Sequence, residues 1–176
     1  MINPFSRTFS VSELEIFEFF SQVNFFEKLK YVEMAKFLPA LHYRSYNRDE
    51  VVFFSGDPSQ AFYMVRSGLI KLSIDIKDNF ETIYEVRKHG AFGENALLEN
   101  QKRIYTAIVA SEQADLLVIP HFALQEIFDS NTKIKAKMMT ALAEFYNQNN
   151  HRLFKSYKNS FGFFNLSEMF TPKENL

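Results

Sequence analysis

One stretch of the chain combines the residue types that bind a phosphorylated sugar. It runs from His89 to Leu98, and a carboxylate, Glu94, follows a pair of glycines that flank Phe92. Arg103 comes nine residues after that carboxylate. Glycine lets backbone amides approach a ligand, arginine holds a phosphate through two parallel hydrogen bonds, and a carboxylate accepts hydrogen bonds from sugar hydroxyls. We call residues 89–106 the cassette and expect it to bind a phosphorylated sugar.

The composition excludes several other kinds of chemistry. The chain has 176 residues, a formal net charge of −1 and no cysteine. Disulfides, thiolate metal sites and a cysteine nucleophile are therefore excluded, and the bulk charge does not indicate nucleic acid or an anionic membrane. No secretory signal and no apolar run of about 20 residues is visible, so we expect a soluble cytoplasmic protein.

The elements that must position the cassette are mostly short strands. After a helical N-terminal segment (1–41), runs rich in β-branched and aromatic residues alternate with turn residues, which predicts a β-sandwich or barrel over residues 42–130. The predicted strands are residues 51–54, 61–65, 69–76, 82–86, 104–109 and 116–119. Residues 77–79 are the predicted tip of a hairpin.

Helices are predicted on both sides of these strands. Residues 10–39 have helical spacing, with Ser10 and Ser12 as candidate N-caps, and a second helical piece is expected from Tyr31 to Leu38, ahead of Pro39. A third covers 120–128. A long helix follows over 131–158, and its apolar stripe is Ile134, Met138, Leu142, Phe145, Asn149 and Leu153. That spacing is close to a heptad and favours a homodimer through this helix; packing on its own domain is the alternative.

With these elements placed, residues 25–150 resemble the cyclic nucleotide-binding domain family. This family includes the bacterial cyclic-AMP receptor protein and the regulatory subunits of cyclic-AMP-dependent kinase. The matching landmarks are Gly56-Asp57, the run 63–68, the cassette with Glu94 and Arg103, and the closing strand 116–119. Asp49 stands where the family often has glycine, and aspartate tolerates the left-handed conformation.

The resemblance implies a mainly β fold: an antiparallel β-roll (a double-stranded β-helix, jelly-roll-like) with N-terminal helices and a long C-terminal helix. It implies that Arg103 pairs with the cyclic phosphate, that Glu94 accepts from the ribose 2′-hydroxyl, and that a short helix at 95–98 points its N-terminus at the phosphate. The ligand-binding residues implied in this way are Gly93, Glu94, Asn95, Ala96, Arg103, Ile104, Tyr105, Asn149 and Asn150.

Two functions remain open. The first is a stand-alone sensor for cyclic AMP or cyclic GMP, with no other cofactor. The second is a module that has lost its ligand and serves interaction or dimerisation. Ile104 and Tyr105 stand where the family has small residues, and the spacing from Arg103 to Ala110 predicts a bulge in that strand. A Tyr105 side chain that points inward favours the second function.

Other functions are not expected. The four histidines are scattered without metal-ligand spacing, and no nucleophile or phosphate-loop pattern of an enzyme appears. The residues after Lys158 are too few for a three-helix DNA-binding unit, so DNA is not expected as a partner. Any protein effector is unknown. The aromatic tail, residues 160–176, is expected to dock on a surface.

Overall fold

The computed structural model describes residues 8–76 and 79–161. The predicted hairpin tip at Lys77 and Asp78, and the predicted docking of the tail beyond residue 161, lie outside these residues. The chain divides into two compact units, the first ending at Leu142 and the second beginning at Ala143. In the part of the chain that the structure describes, no helix is long and apolar enough to cross a membrane.

The first unit begins with short helices. Helix α1 (Val11–Ser21) starts with a capping box, in which Ser10 Oγ accepts from the Glu13 amide and the Glu13 carboxylate accepts from the Ser10 amide. Helix α2 (Tyr31–Met34) is followed by a 3₁₀ helix (Leu38–Ala40). The predicted helix over 31–38 is therefore too long. Pro39, which lacks an amide hydrogen, lies in the first positions of the 3₁₀ helix.

In residues 8–76 and 79–161, eight strands form two antiparallel four-stranded sheets, which confirms the predicted β-roll. The strands are β1 (His42–Asn47), β2 (Val51–Phe53), β3 (Ala61–Ser67), β4 (Ile70–Ile76), β5 (Asn79–Val86), β6 (Ala91–Phe92), β7 (Thr106–Val109) and β8 (Gln113–Pro120). One sheet has the order β1-β8-β3-β6 and the other β2-β7-β4-β5. The apolar core lies between them and includes Phe53, Leu72, Phe92 and Leu116.

Two register shifts interrupt the second sheet. Val51 pairs with Ile108 and Phe53 with Ala107, so the extra residue lies in β2. The bulge predicted between Arg103 and Ala110 is therefore wrong: β7 pairs regularly with β4, and Arg103 is held in a loop by backbone hydrogen bonds with Gly56 and Asp57. In the β4–β5 pair, Leu72 faces Tyr84 and Ser73 faces Thr82, which leaves Ile83 without a partner on β4.

Two helices follow the roll. Helix α3 (His121–Ser130) follows β8 directly, and helix α4 (Thr132–Phe161) confirms the predicted long C-terminal helix. Within the first unit, Ile134, Met138 and Leu142 are buried in the single chain. The first half of the heptad-like stripe therefore packs into its own unit. A 2.6 Å ion pair between Lys137 Nζ and Glu33 Oε2 joins α4 to α2.

Candidate ligand site in the roll

The cassette turns sharply between β6 and β7. Gly93 has a φ of +71° and precedes a 3₁₀ helix, Glu94–Leu97, which we call the cassette helix. A Cβ at Gly93 would lie 2.5 Å from Arg103 Nη1 and 3.1 Å from the Ala61 carbonyl oxygen. Both the conformation and the close approach therefore require glycine at this position.

Arg103 is buried and is held by backbone carbonyls. Its side chain is 4% exposed, Nη1 donates to the Gly93 carbonyl over 3.0 Å, and Nη2 donates to the Ala61 carbonyl over 2.7 Å. The guanidinium carbon lies 4.1 Å from the centre of the Phe53 ring. Nε has no hydrogen-bond partner in the described residues. The guanidinium is thus positioned firmly, without a carboxylate within ion-pair distance in the described part of the chain.

Tyr105 points into the roll. Its side chain is 5% exposed, and its ring centre lies 5.8 Å from that of Phe53. The hydroxyl donates to Glu94 Oε2 over 2.9 Å and accepts from the Gly93 amide over 2.9 Å. Two groups that the resemblance assigns to the ligand therefore bind this tyrosine. Its inward orientation favours the function without a ligand.

Burial dominates the electrostatics of the site. It raises the pKa of Glu94, although the Glu94 amide, the Tyr105 hydroxyl and the Arg103 charge oppose the shift. It also lowers the pKa of the Arg103 guanidinium. The pKa of Tyr105 is well above its ordinary value, because its hydroxyl is buried and lies beside the Glu94 carboxyl group. Each ionised form is therefore disfavoured compared with the same group in water.

The remaining predicted residues fall into different environments. Asn95 is buried, and its Oδ1 has no partner among the described residues. The Ala96 carbonyl faces His121 Nδ1 at 2.8 Å. The Ile104 side chain is 63% exposed and does not fill the roll. Asn149 and Asn150 belong to the second unit, and their contact with a ligand stays a prediction.

An aromatic cluster fills the space beside Arg103, and the sequence did not identify it. The Tyr63 ring stacks on Phe92 with centres 5.0 Å apart, and Phe53 lies 5.6 Å from Tyr63 and 5.9 Å from Phe92. The apolar residues of β3 and of the end of β2 are visible in the sequence, but the sequence does not show that these strands lie side by side.

Three surface cavities of about 460, 300 and 460 Å³ lie elsewhere on the molecule. None of Glu94, Arg103 and Tyr105 lines them.

The β-roll, with a buried arginine behind a glycine turn, is the arrangement to compare with known families. The sequence model of the cyclic nucleotide-binding domain matches residues 43–131, which is half of the chain. The chain therefore belongs to the cyclic nucleotide-binding domain family.

Individual relatives agree with this assignment. The chain is 30% identical over 98 residues to a cAMP-dependent protein kinase regulatory subunit of Mycosarcoma maydis, which covers 56% of this chain and 19% of that protein. It is 29% identical over 102 residues to a global nitrogen regulator of Nostoc sp., covering 56% of this chain and 45% of the regulator. The chain thus spans less than half the length of both.

A solved structure shows the same fold. The regulatory domain of Toxoplasma gondii PKA, crystallised with cAMP, superposes with a TM-score of 0.62 at 23% identity. The match covers 72% of this chain and 49% of that one.

Proposed function

We propose that this chain is a non-enzymatic regulatory module of the cyclic nucleotide-binding family that works through protein contacts, with its nucleotide site closed by Tyr105. The observation that carries the proposal is the hydroxyl of Tyr105, which donates to Glu94 and accepts from the Gly93 amide. A ribose hydroxyl offers the same donor and acceptor. The Tyr105 hydroxyl therefore takes the place of a ribose hydroxyl at the Glu94 carboxyl group and the Gly93 amide.

Arg103 supports the same proposal. Two of its five N–H donors already bind the carbonyls of Gly93 and Ala61, which leaves only the other three for a phosphate. The aromatic rings of Phe53 and Tyr63 lie against the guanidinium at 4.1 and 5.5 Å from ring centre to guanidinium carbon. An incoming nucleotide would therefore have to separate packed aromatic groups as well as displace the Tyr105 hydroxyl from Glu94 and Gly93.

Isothermal titration calorimetry with cyclic AMP and cyclic GMP tests the closed site. We expect no binding heat for the intact chain at millimolar nucleotide, and measurable binding for Tyr105→Ala, which removes the blocking ring. Tyr84→Ala, on the exposed side of β5, is the matched control and should behave like the intact chain. Micromolar binding by the intact chain would overturn the proposal. A folded Tyr105→Ala protein that binds neither nucleotide would show that another group closes the site.

The second candidate is a stand-alone sensor for cyclic AMP or cyclic GMP. The observation that favours it is the buried Arg103 charge, whose hydrogen bonds go to neutral carbonyls and whose Nε has no partner among the described residues. A bound phosphate would supply the missing counter-charge. In that case the intact chain binds nucleotide in the same calorimetry, and Arg103→Ala weakens binding by about 1.5–3 kcal/mol.

For either function, the proposed protein contact is a homodimer through α4. The first half of the apolar stripe is buried within the first unit, so the contact rests on the part of the helix that begins at Ala143. Leu153 is 59% exposed there and belongs to the predicted seam. An effector protein would recognise this helix or the dimer that it forms.

A further inference from the structure

The last turns of α4 separate apolar residues from basic residues. The apolar residues within 151–161 are Leu153, Phe154, Tyr157 and Phe161. The basic residues there are His151, Arg152, Lys155 and Lys158. Because an α-helix has about 3.6 residues per turn, the apolar positions lie within an arc of about 100° and the basic positions within an arc of about 120° on the other side. We call these two sides of the helix the apolar face and the basic face.

Both faces reach solvent. Leu153 is 59% exposed and Tyr157 is 38% exposed, and Phe154 is half-buried. All four residues of the basic face are exposed. Residues 151–161 lie wholly within the second unit. Large exposed apolar side chains that are rimmed by polar residues are typical of an interaction surface.

The charge of this segment differs from that of the whole chain. Between residues 145 and 161 the sequence has three cations, Arg152, Lys155 and Lys158, and no acidic residue. The formal net charge of the chain is −1, so these cations are a local concentration and not part of a general excess. A helix with an apolar face and a basic face fits a surface that is both apolar and anionic.

We propose that residues 151–161 bind the surface of an anionic lipid bilayer. The rings of Phe154 and Tyr157 enter the boundary between the headgroups and the acyl chains, where aromatic side chains are favoured. Arg152 and Lys158 border the apolar face on its two sides, and their long side chains extend to the phosphates and carboxylates of the lipids. The helix therefore lies on the bilayer and does not cross it.

A lipid surface fits this segment better than nucleic acid does. The phosphates of a duplex would pair with Arg152, Lys155 and Lys158, but they would leave Leu153 and Tyr157 in water. A bilayer covers the apolar residues and pairs with the cations at the same time. The presence of both kinds of residue on adjoining faces therefore favours lipid as the partner.

Lipid binding is compatible with a homodimer through α4. Only Leu153 belongs both to the apolar face and to the proposed seam, whose other residues in the second unit are Phe145 and Asn149. The centres of the two faces differ by about a quarter of a turn around the helix axis. Tyr105 lies in the first unit. Failure of the dimer or of the closed nucleotide site would therefore leave lipid binding unaffected.

Sedimentation with lipid vesicles tests the electrostatic part of the proposal. We expect the intact chain to pellet with vesicles of phosphatidylcholine and phosphatidylserine but not with phosphatidylcholine alone, and to be released by high sodium chloride. The double variant Lys155→Gln/Lys158→Gln should bind about 30-fold more weakly, which is about fivefold for each cation. Lys133→Gln/Lys135→Gln, at the start of the same helix, is the control and should bind like the intact chain.

Two variants of Tyr157 test the apolar face. Tyr157→Glu should abolish pelleting with the anionic vesicles, whereas Asn147→Glu, an exposed position of α4 outside residues 151–161, adds the same charge and should keep it. The chain contains no tryptophan, so Tyr157→Trp supplies a single fluorophore. Its emission should move to shorter wavelength when anionic vesicles are added. Tyr84→Trp, at an exposed position of β5, is the control and should show no such shift.

Several outcomes would overturn lipid binding by this segment. They are the absence of pelleting with anionic vesicles, undiminished binding by Lys155→Gln/Lys158→Gln, and unchanged emission from Tyr157→Trp on vesicles. Equal pelleting with phosphatidylcholine alone would show adsorption without recognition of charge. Retention of duplex DNA that is lost in Lys155→Gln/Lys158→Gln but kept in Tyr157→Glu, without vesicle binding, would assign the basic face to nucleic acid instead.

Discussion

At the residue scale, the Tyr105 hydroxyl makes two buried hydrogen bonds that a phenylalanine cannot make. Tyr105→Phe keeps the ring but leaves the Gly93 amide and the Glu94 carboxyl group without this partner. We expect a loss of about 1–3 kcal/mol in the free energy of unfolding, measured in urea. Tyr84→Phe, at an exposed ring, is the control and should change little. A Tyr105→Phe protein as stable as the intact chain would show that these bonds contribute nothing net.

Glu94 predicts a pH dependence of stability. Burial raises its pKa above the ordinary 4.5, so the folded state holds this proton more tightly than the unfolded state does. Its contribution to stability is complete below about pH 4.5 and is lost as the pH rises through the raised pKa. The glutamine side chain of the Glu94→Gln variant cannot ionise. The unfolding free energy of this variant should therefore fall less than that of the intact chain between pH 4.5 and neutrality.

Urea titrations at several pH values measure this difference directly. The exposed Glu18→Gln variant on α1 is the control for removal of one negative charge, and we expect it to follow the intact chain. Parallel pH profiles for the intact chain and Glu94→Gln would contradict a raised pKa at Glu94.

Some single-residue features followed from the sequence and others did not. The left-handed conformation tolerated at Asp49 was predicted, and its φ is +66°, because the turn chemistry is local. The orientation of Tyr105 was left open. It depends on the Phe53 ring at the end of β2 and on the Gly93 turn, which are distant in sequence.

At the scale of elements, the start of the cassette helix depends on close packing and on a left-handed φ. Gly56 offers a matched comparison, because its φ is +87° but a Cβ there would meet nothing within 4 Å. Gly56→Ala should cost about 1–2 kcal/mol through backbone strain alone. Gly93→Ala should cost about 1–3 kcal/mol more, because the methyl group displaces Arg103 from the Gly93 carbonyl. If the two variants lose the same free energy of unfolding in urea, the close approach of Arg103 to Gly93 does not limit the residue at position 93.

The elements were predicted where hydrophobic periodicity was long enough to detect. The two-residue strand β6 was not predicted, because two residues define no alternation. Strand β5 begins at Asn79 rather than Thr82, since its exposed residues obscure the pattern. The stripe on α4 was correctly identified as apolar, but periodicity alone did not distinguish burial in its own unit from contact with a partner.

At the scale of the whole molecule, the proposed dimer depends on the part of α4 beyond Ala143. Leu153→Glu places a charge in the predicted seam and should shift the mass measured by light scattering from dimer towards monomer. Asn147→Glu, at an exposed position on the opposite face of the same helix, adds the same charge outside the stripe and should leave the mass unchanged. A monomeric intact chain, or a dimer unaffected by Leu153→Glu, would contradict a contact through this helix.

The register shift in the β4–β5 pair also bears on self-assembly. Strand β5 is the edge of its sheet and exposes Phe80, Ile83 and Tyr84. A flat edge with such side chains would recruit further strands and lead to aggregation. The unpaired Ile83 distorts that edge, because a bulge increases the local twist and interrupts the row of backbone groups. We therefore expect the same irregularity that accommodates one extra residue to oppose the growth of concentrated protein into open-ended fibrils.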